Sequence, residues 1–168
     1  YNNPKWVALD LLSQAEHDEE ARAILISNSQ DFIKKVNKHL LSYLKSIKRT
    51  KIAAQSIKTN GLAILIQDIN FAHCVANYIA PEHLEIMTKN KKLLAKKIIN
   101  AGAIFMGEYT PEAFGDYIAG PSHVLPTSGN ARFDSGLSVL DFLKRTSYIE
   151  ANKRGLKNTL HSIETLGN

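Results

Sequence analysis

The chain of 168 residues contains one cysteine, one tryptophan and two methionines. A single cysteine, Cys74, excludes an intrachain disulfide framework and fits a reducing compartment. No apolar run approaches the roughly 18 residues that a membrane-crossing helix needs. No basic, apolar leader opens the sequence, so a cytoplasmic location is expected. Internal repeats and low-complexity segments are also missing. The G-x-G-x-x-G fingerprint, the Walker A loop and the G-x-S-x-G elbow are all absent. A bound dinucleotide would therefore not rest on the usual phosphate loop, and the loop serines do not mark a hydrolase.

What is present describes an ordinary folded chain. Hydrophobic residues make up 44% and charged residues 22%, enough to build a sizeable core. The net charge is +5 and the pI about 9.3, which raises nucleic acid or an anionic membrane as partners. The lysines argue against both. They are dispersed except at Lys89, Lys91, Lys92, Lys96 and Lys97, which alternate with Leu93, Leu94, Ile98 and Ile99 as on the wet side of an amphipathic helix. No stacking aromatics accompany them, so neither nucleic acid nor membrane is the expected partner.

The periodicity predicts alternating helices and strands. Asn3 caps and Pro4 opens a helix that runs to about Glu16 and buries Val7, Ala8, Leu11, Leu12 and Ala15. Ala23 to Ser27 reads as a buried strand. Asn28 or Ser29 caps a long helix with the face Phe32, Val36, Leu40, Leu44 and Ile47. After a turn at Thr59, Asn60 and Gly61, a strand runs from Leu62 to Gln67. Asp68 caps the next helix, through Phe71, Val75 and Ile79, which packs Cys74 as a small hydrophobe. Leu84 to Met87 is a short strand, Asn90 caps the lysine-rich helix, and Ala103 to Met106 is another strand. Between Gly107 and Gly136 regularity stops, with five of the nine glycines and three of the five prolines. Leu137 to Arg145 reads as helix, Ser147 to Glu150 as extended, and Ala151 to Leu166 as helix. The expected fold is α/β, a mainly parallel sheet flanked by helices (an incomplete Rossmann-like sheet), then a long glycine-rich loop and a C-terminal helical segment. Residues 1–136 would form the α/β domain and 137–168 the helical segment.

Three groups of residues could carry chemistry. Gln14 and His17 lie one turn apart on the first helix, where a carbonyl and an imidazole can share a metal; a surface glutamine beside a capping histidine is the plainer alternative. Glu82 and His83 follow Pro81, which breaks the preceding helix and presents them on a turn. A carboxylate beside an imidazole suits acid–base work, although the pair also occurs in loops by chance. Asp116 and His123 bracket a glycine-rich stretch. Asp116 offers a hard ligand and His123 a ligand or proton relay, and both also serve as turn residues. His39, His73 and His161 lack matched partners and read as surface or packing residues.

Taken in order, these segments resemble one family. Asp10-Leu11-Leu12-Ser13-Gln14-Ala15-Glu16-His17, Ala80-Pro81-Glu82-His83-Leu84-Glu85 and Ala101-Gly102-Ala103-Ile104-Phe105-Met106-Gly107 are similar to segments of the histidinol dehydrogenases. So are Gly115-Asp116-Tyr117 through His123-Val124-Leu125-Pro126-Thr127, and Ser135-Gly136-Leu137-Ser138-Val139 through Lys144-Arg145-Thr146. The resemblance covers essentially the whole chain. It implies a zinc- and NAD-dependent oxidation of L-histidinol to L-histidine in two steps, the last in histidine biosynthesis. Gln14, His17 and Asp116 would be zinc ligands that also touch substrate. Glu82 and His83 would be the catalytic acid–base pair, with His83 and His123 in the substrate pocket.

The same resemblance implies a C-terminal portion lacking the amino-terminal half, where NAD contacts lie, and the extreme tail, which brings a fourth ligand across a homodimer. Association with the missing half or with a second copy is therefore expected. The alternative is a stand-alone, non-catalytic α/β module that keeps a metal or imidazole-ligand site.

Overall fold

The computed structural model describes residues 2–167, which fall into two compact units divided between Leu137 and Ser138. The first is mixed α/β. Helix α1 (Pro4–Ala15) starts as its sequence dictates: the Asn3 side chain accepts the Lys5 N–H at 3.0 Å, and proline occupies the first turn, where no N–H is needed. Strand β1 (Ile24–Ser27) follows, and Ser29 then caps α2 (Gln30–Tyr43) by accepting the Phe32 N–H at 3.2 Å.

The helix expected to run through Ile47 stops at Tyr43. The chain turns at 44–49 and starts again as α3 (Thr50–Asn60). Leu44 and Ile47 still pack against the core after the helix has ended, which is why the apolar spacing concealed the break. Val7, Ala8, Leu12 and Ala15 of α1 meet Ala23, Val36, Leu40 and Ala53 there. Four of these eight are alanines, so the helices approach closely, and Ser56, fully buried, donates its hydroxyl to Ala21 O at 2.9 Å.

Strand β2 (Leu62–Leu65) pairs in parallel with β1, Ile24 opposite Leu62. Asp68 caps a short 3-10 turn at Ile69–Phe71, which leads into α4 (Ala72–Ile79). Cys74 on that helix is exposed, not packed as expected, with its sulfur 3.5 Å from His73 Nε2.

Helix α4 ends on Ala80, a buried residue in the left-handed region at φ 51°. This reversal, followed by Pro81, sends the chain into β3 (His83–Ile86), so His83 begins a strand and does not sit on the expected turn. Helix α5 (Lys91–Ala95) is shorter than the lysine-rich pattern suggested, and Asn90 makes no side-chain cap. Strand β4 (Ala103–Met106) matches its expected limits and pairs in parallel with β3, His83 opposite Ala103. The described strands form two separate two-stranded sheets.

The stretch expected to be irregular contains helix α6 (Glu112–Tyr117) and a 3-10 turn at Asn130–Arg132. Gly115 lies within α6, where an added Cβ would come within 2.2 Å of the Phe105 ring, so only glycine lets α6 sit this close to β4.

The second unit holds a 3-10 turn at Val139–Phe142, closed by a reciprocal Ser138–Asp141 capping box, and helix α7 (Lys153–Gly167). The helix expected over 137–145 shrinks to that turn, and 147–150 forms no strand. Leu156, Leu160 and Ile163 make an exposed stripe along α7. No described helix is long and apolar enough to cross a membrane.

Candidate functional site

Three elements of the first unit converge on one group of side chains. The parallel ladder fixes β3 first: Ala103 N–H donates to Glu82 O at 2.8 Å and Gly102 N–H to Pro81 O at 2.9 Å. A Cβ at Gly102 would lie 2.6 Å from the Glu82 carbonyl oxygen, so this glycine permits the close approach. The ladder thereby sets the backbone that carries Glu82 and His83.

Helix α6 is positioned from the same strand. Its first residue, Glu112, donates its backbone N–H to the Glu85 carboxyl at 3.1 Å. That contact supplies one of the partners a helix start requires. Glu112 and Asp116 are four residues apart and share a face. Asp116 Oδ1 lies 3.6 Å from His83 Nε2, and Glu112 Oε1 lies 3.8 Å from His83 Nδ1. Both separations are too long for hydrogen bonds. Both ring nitrogens of His83 are buried without a hydrogen-bond partner. The Phe105 ring packs tilted against the imidazole at 5.8 Å. Ligand atoms of His83, Glu112 and Asp116 all lie within 4.8 Å of one another.

Helix α1 delivers His17 from just beyond its C-terminal end. His17 is exposed, and its Nε2 lies 3.8 Å from the same Glu112 Oε1 that faces His83. Arg49 donates to the His17 carbonyl at 3.3 Å, tying the end of α1 to the start of α3. Gln14 is half-buried one turn earlier on α1. Glu82 is half-buried directly before β3. His123 is exposed in the segment after α6, outside the group formed by His83, Glu112 and Asp116.

The carboxyls carry the electrostatic signature of the site. Burial raises Glu112 above the usual carboxylate range, and the negative charges of Asp116 and Glu82 push the same way, while His83 and His17 oppose. Beneath the site, burial and the neighbouring charge of Asp10 push Glu85 up to about 8. Burial also raises Asp10, against a side-chain hydrogen bond with Glu85. Charge repulsion and desolvation act together here, as they do where carboxyls share a confined site.

Glu112, Glu85 and Asp10 were not anticipated as participants. For Glu112 a signal was present: Pro111 followed by an acid opens a helix, and the four-residue spacing to Asp116 puts both acids on one side. The surrounding glycines obscured it. His83, Glu112 and Asp116 have donor atoms that suit a divalent ion such as zinc; of the expected ligands Gln14, His17 and Asp116, only Asp116 belongs to this group.

Comparison with known proteins is consistent along the chain. The family model described as histidinol dehydrogenase matches residues 1–168. "Histidinol dehydrogenase 1" of Trichormus variabilis is 48% identical over 165 residues, covering 98% of this chain and 38% of that protein. The histidinol dehydrogenase of Gluconobacter oxydans is 50% identical over 156 residues, covering 93% of this chain and 36% of that protein. The crystal structure of histidinol dehydrogenase from Elizabethkingia anophelis superposes with a TM-score of 0.88 at 34% identity, over 99% of this chain and 38% of that one. The chain thus spans well under half the length of the relatives it matches.

Proposed function

From its membership of the histidinol dehydrogenase family, to which the chain belongs, we infer that it contributes the metal and acid–base half of an NAD-linked oxidation of L-histidinol to L-histidine. The observation that carries this is His83, buried with both ring nitrogens unpartnered between two carboxylates. A buried polar group without a partner is costly, and a site that leaves one so is arranged for a ligand.

Gln14, on the last turn of α1, His17, just past its end, and Asp116 on α6 would hold the zinc. When bound, the zinc would supply orientation by fixing polar groups of the substrate, and NAD, which the family resemblance assigns to the portion preceding these residues, would supply the hydride acceptor. His83 takes the proton of the substrate hydroxyl as hydride leaves the same carbon. Glu82 takes a proton from the water that adds to the aldehyde, and the hydrate then gives its hydride to a second NAD to form the carboxylate. His123, in the exposed segment after α6, contributes to the substrate pocket. In this arrangement the two parallel strand pairs are parts of an incomplete Rossmann-like sheet. The active assembly is a cytoplasmic homodimer, or this chain joined to the remaining portion.

Two experiments test the proposal. Zinc loading followed by desalting leaves about one zinc per chain, and Asp116→Ala loses it. Combining the chain with the portion of a relative that it does not cover restores NADH formation from L-histidinol. Glu82→Gln with His83→Ala abolishes that turnover. Normal NADH formation by the double variant would remove the acid–base assignment. A folded, zinc-free chain that no complement activates would favour a non-catalytic module.

A further inference from the structure

We propose that Glu112 is a positioning residue that holds the His83 ring with its proton on Nδ1, leaving Nε2 as the basic nitrogen on the side of Asp116. This rests, for its catalytic meaning, on the acid–base reading of His83 given above. The ring presents each nitrogen to a different carboxylate, Nδ1 to Glu112 at 3.8 Å and Nε2 to Asp116 at 3.6 Å. A neutral imidazole has one proton for the two, so the environment chooses the tautomer.

The two acceptors are unequal. The Glu112 side chain is 8% exposed and that of Asp116 is 20% exposed, so water reaches Asp116 more readily. A buried acceptor left without a donor costs more than a hydrated one. The Glu112 backbone is also anchored, since its N–H donates to Glu85 at 3.1 Å on the strand that carries His83. Phe105 packs on the ring and limits its rotation. A side-chain adjustment of about 1 Å closes the Nδ1–Oε1 gap to an ordinary hydrogen bond without any ligand. The Nε2 lone pair then lies on the Asp116 side of the ring, free to take a proton from substrate. The Glu112 oxygen that faces His83 also lies 3.8 Å from His17 Nε2, so one buried carboxyl orients an imidazole from β3 and another from α1.

The test is the tautomer itself, read from two-bond ¹H–¹⁵N correlations of the histidine rings at alkaline pH, with His83 assigned through His83→Asn. His83 carries its proton on Nδ1 in the parent chain and in Glu112→Gln, whose amide oxygen still accepts. In Glu112→Leu the proton moves to Nε2. A proton on Nε2 in the parent, or one that stays on Nδ1 in Glu112→Leu, overturns the proposal, and the parent spectrum decides alone if that variant does not fold. In the complemented enzyme Glu112→Leu lowers kcat roughly 10- to 100-fold with KM nearly constant, and Glu112→Gln recovers most of it. Unchanged kcat in Glu112→Leu would overturn the positioning role. The ring signature needs neither substrate nor turnover. An Nδ1 proton in a chain that no complement activates would therefore leave the tautomer standing and remove the dehydrogenase reading.

Discussion

Glu85→Gln is the most informative single substitution for the ground beneath the site. Glu85 accepts the Glu112 N–H at 3.1 Å and shares a hydrogen bond with Asp10, while burial and the Asp10 charge push it from 4.5 up to about 8. Between those values the folded chain keeps a proton that the unfolded chain has released. Stability therefore falls as pH rises from about 4.5 and levels off above about 8. With about 1.4 kcal/mol per pKa unit, the loss between pH 5 and pH 8 is about 3 kcal/mol for this one group. The raised Asp10 and Glu112 act with the same sign. Glutamine keeps an oxygen for the Glu112 N–H and an N–H for Asp10, yet has no proton to lose. Urea unfolding of the metal-free chain at several pH values should show the parent weakening toward pH 8 and Glu85→Gln staying much flatter. Parallel pH profiles for the two proteins would refute the reasoning, because Glu85 would then ionise as easily folded as unfolded.

Gly115→Ala places a Cβ 2.2 Å from the Phe105 ring, so Phe105 or α6 must move; a loss of about 1–3 kcal/mol is expected in urea unfolding, and an unchanged midpoint would show that the ring has room. Leu12→Ala empties a position only 2% exposed between α1, α2 and α3, and should cost about 2–5 kcal/mol by the same assay. Ser29→Ala removes the oxygen that accepts the Phe32 N–H, with an expected cost of about 1 kcal/mol and partial loss of protection at the start of α2 in hydrogen exchange.

Local chemistry announced much of the fold. Asn3 with Pro4 placed the start of α1, and the Asn28–Ser29 pair placed that of α2, of which the structure uses Ser29, because each carries its own hydrogen bond or backbone restriction within a few residues. Ala103 to Met106 was legible as a strand because the run is apolar and bounded by glycine on both sides. The division between α2 and α3 was not legible. Leu44 and Ile47 bury against the core whether or not the backbone between them stays helical, so apolar spacing alone does not report the turn. Helix α6 was hidden for the opposite reason. Gly115 reads as a break in isolation, and only the nearness of Phe105 explains why a helix uses it.

The same division holds at the site. The sequence by itself offered the candidates for chemistry: Gln14 and His17 three residues apart, Glu82 beside His83, and Asp116 and His123 in a glycine-rich stretch. It also carried the family, through segments spread along the whole chain. Only the tertiary structure decided that Glu112 faces both His17 and His83, and that Glu85 and Asp10 press together below it. Spacing rules reach along one helix or strand. These contacts join α1, β3 and α6, and the burial that leaves His83 unpartnered and raises the carboxyls exists only once those elements have packed.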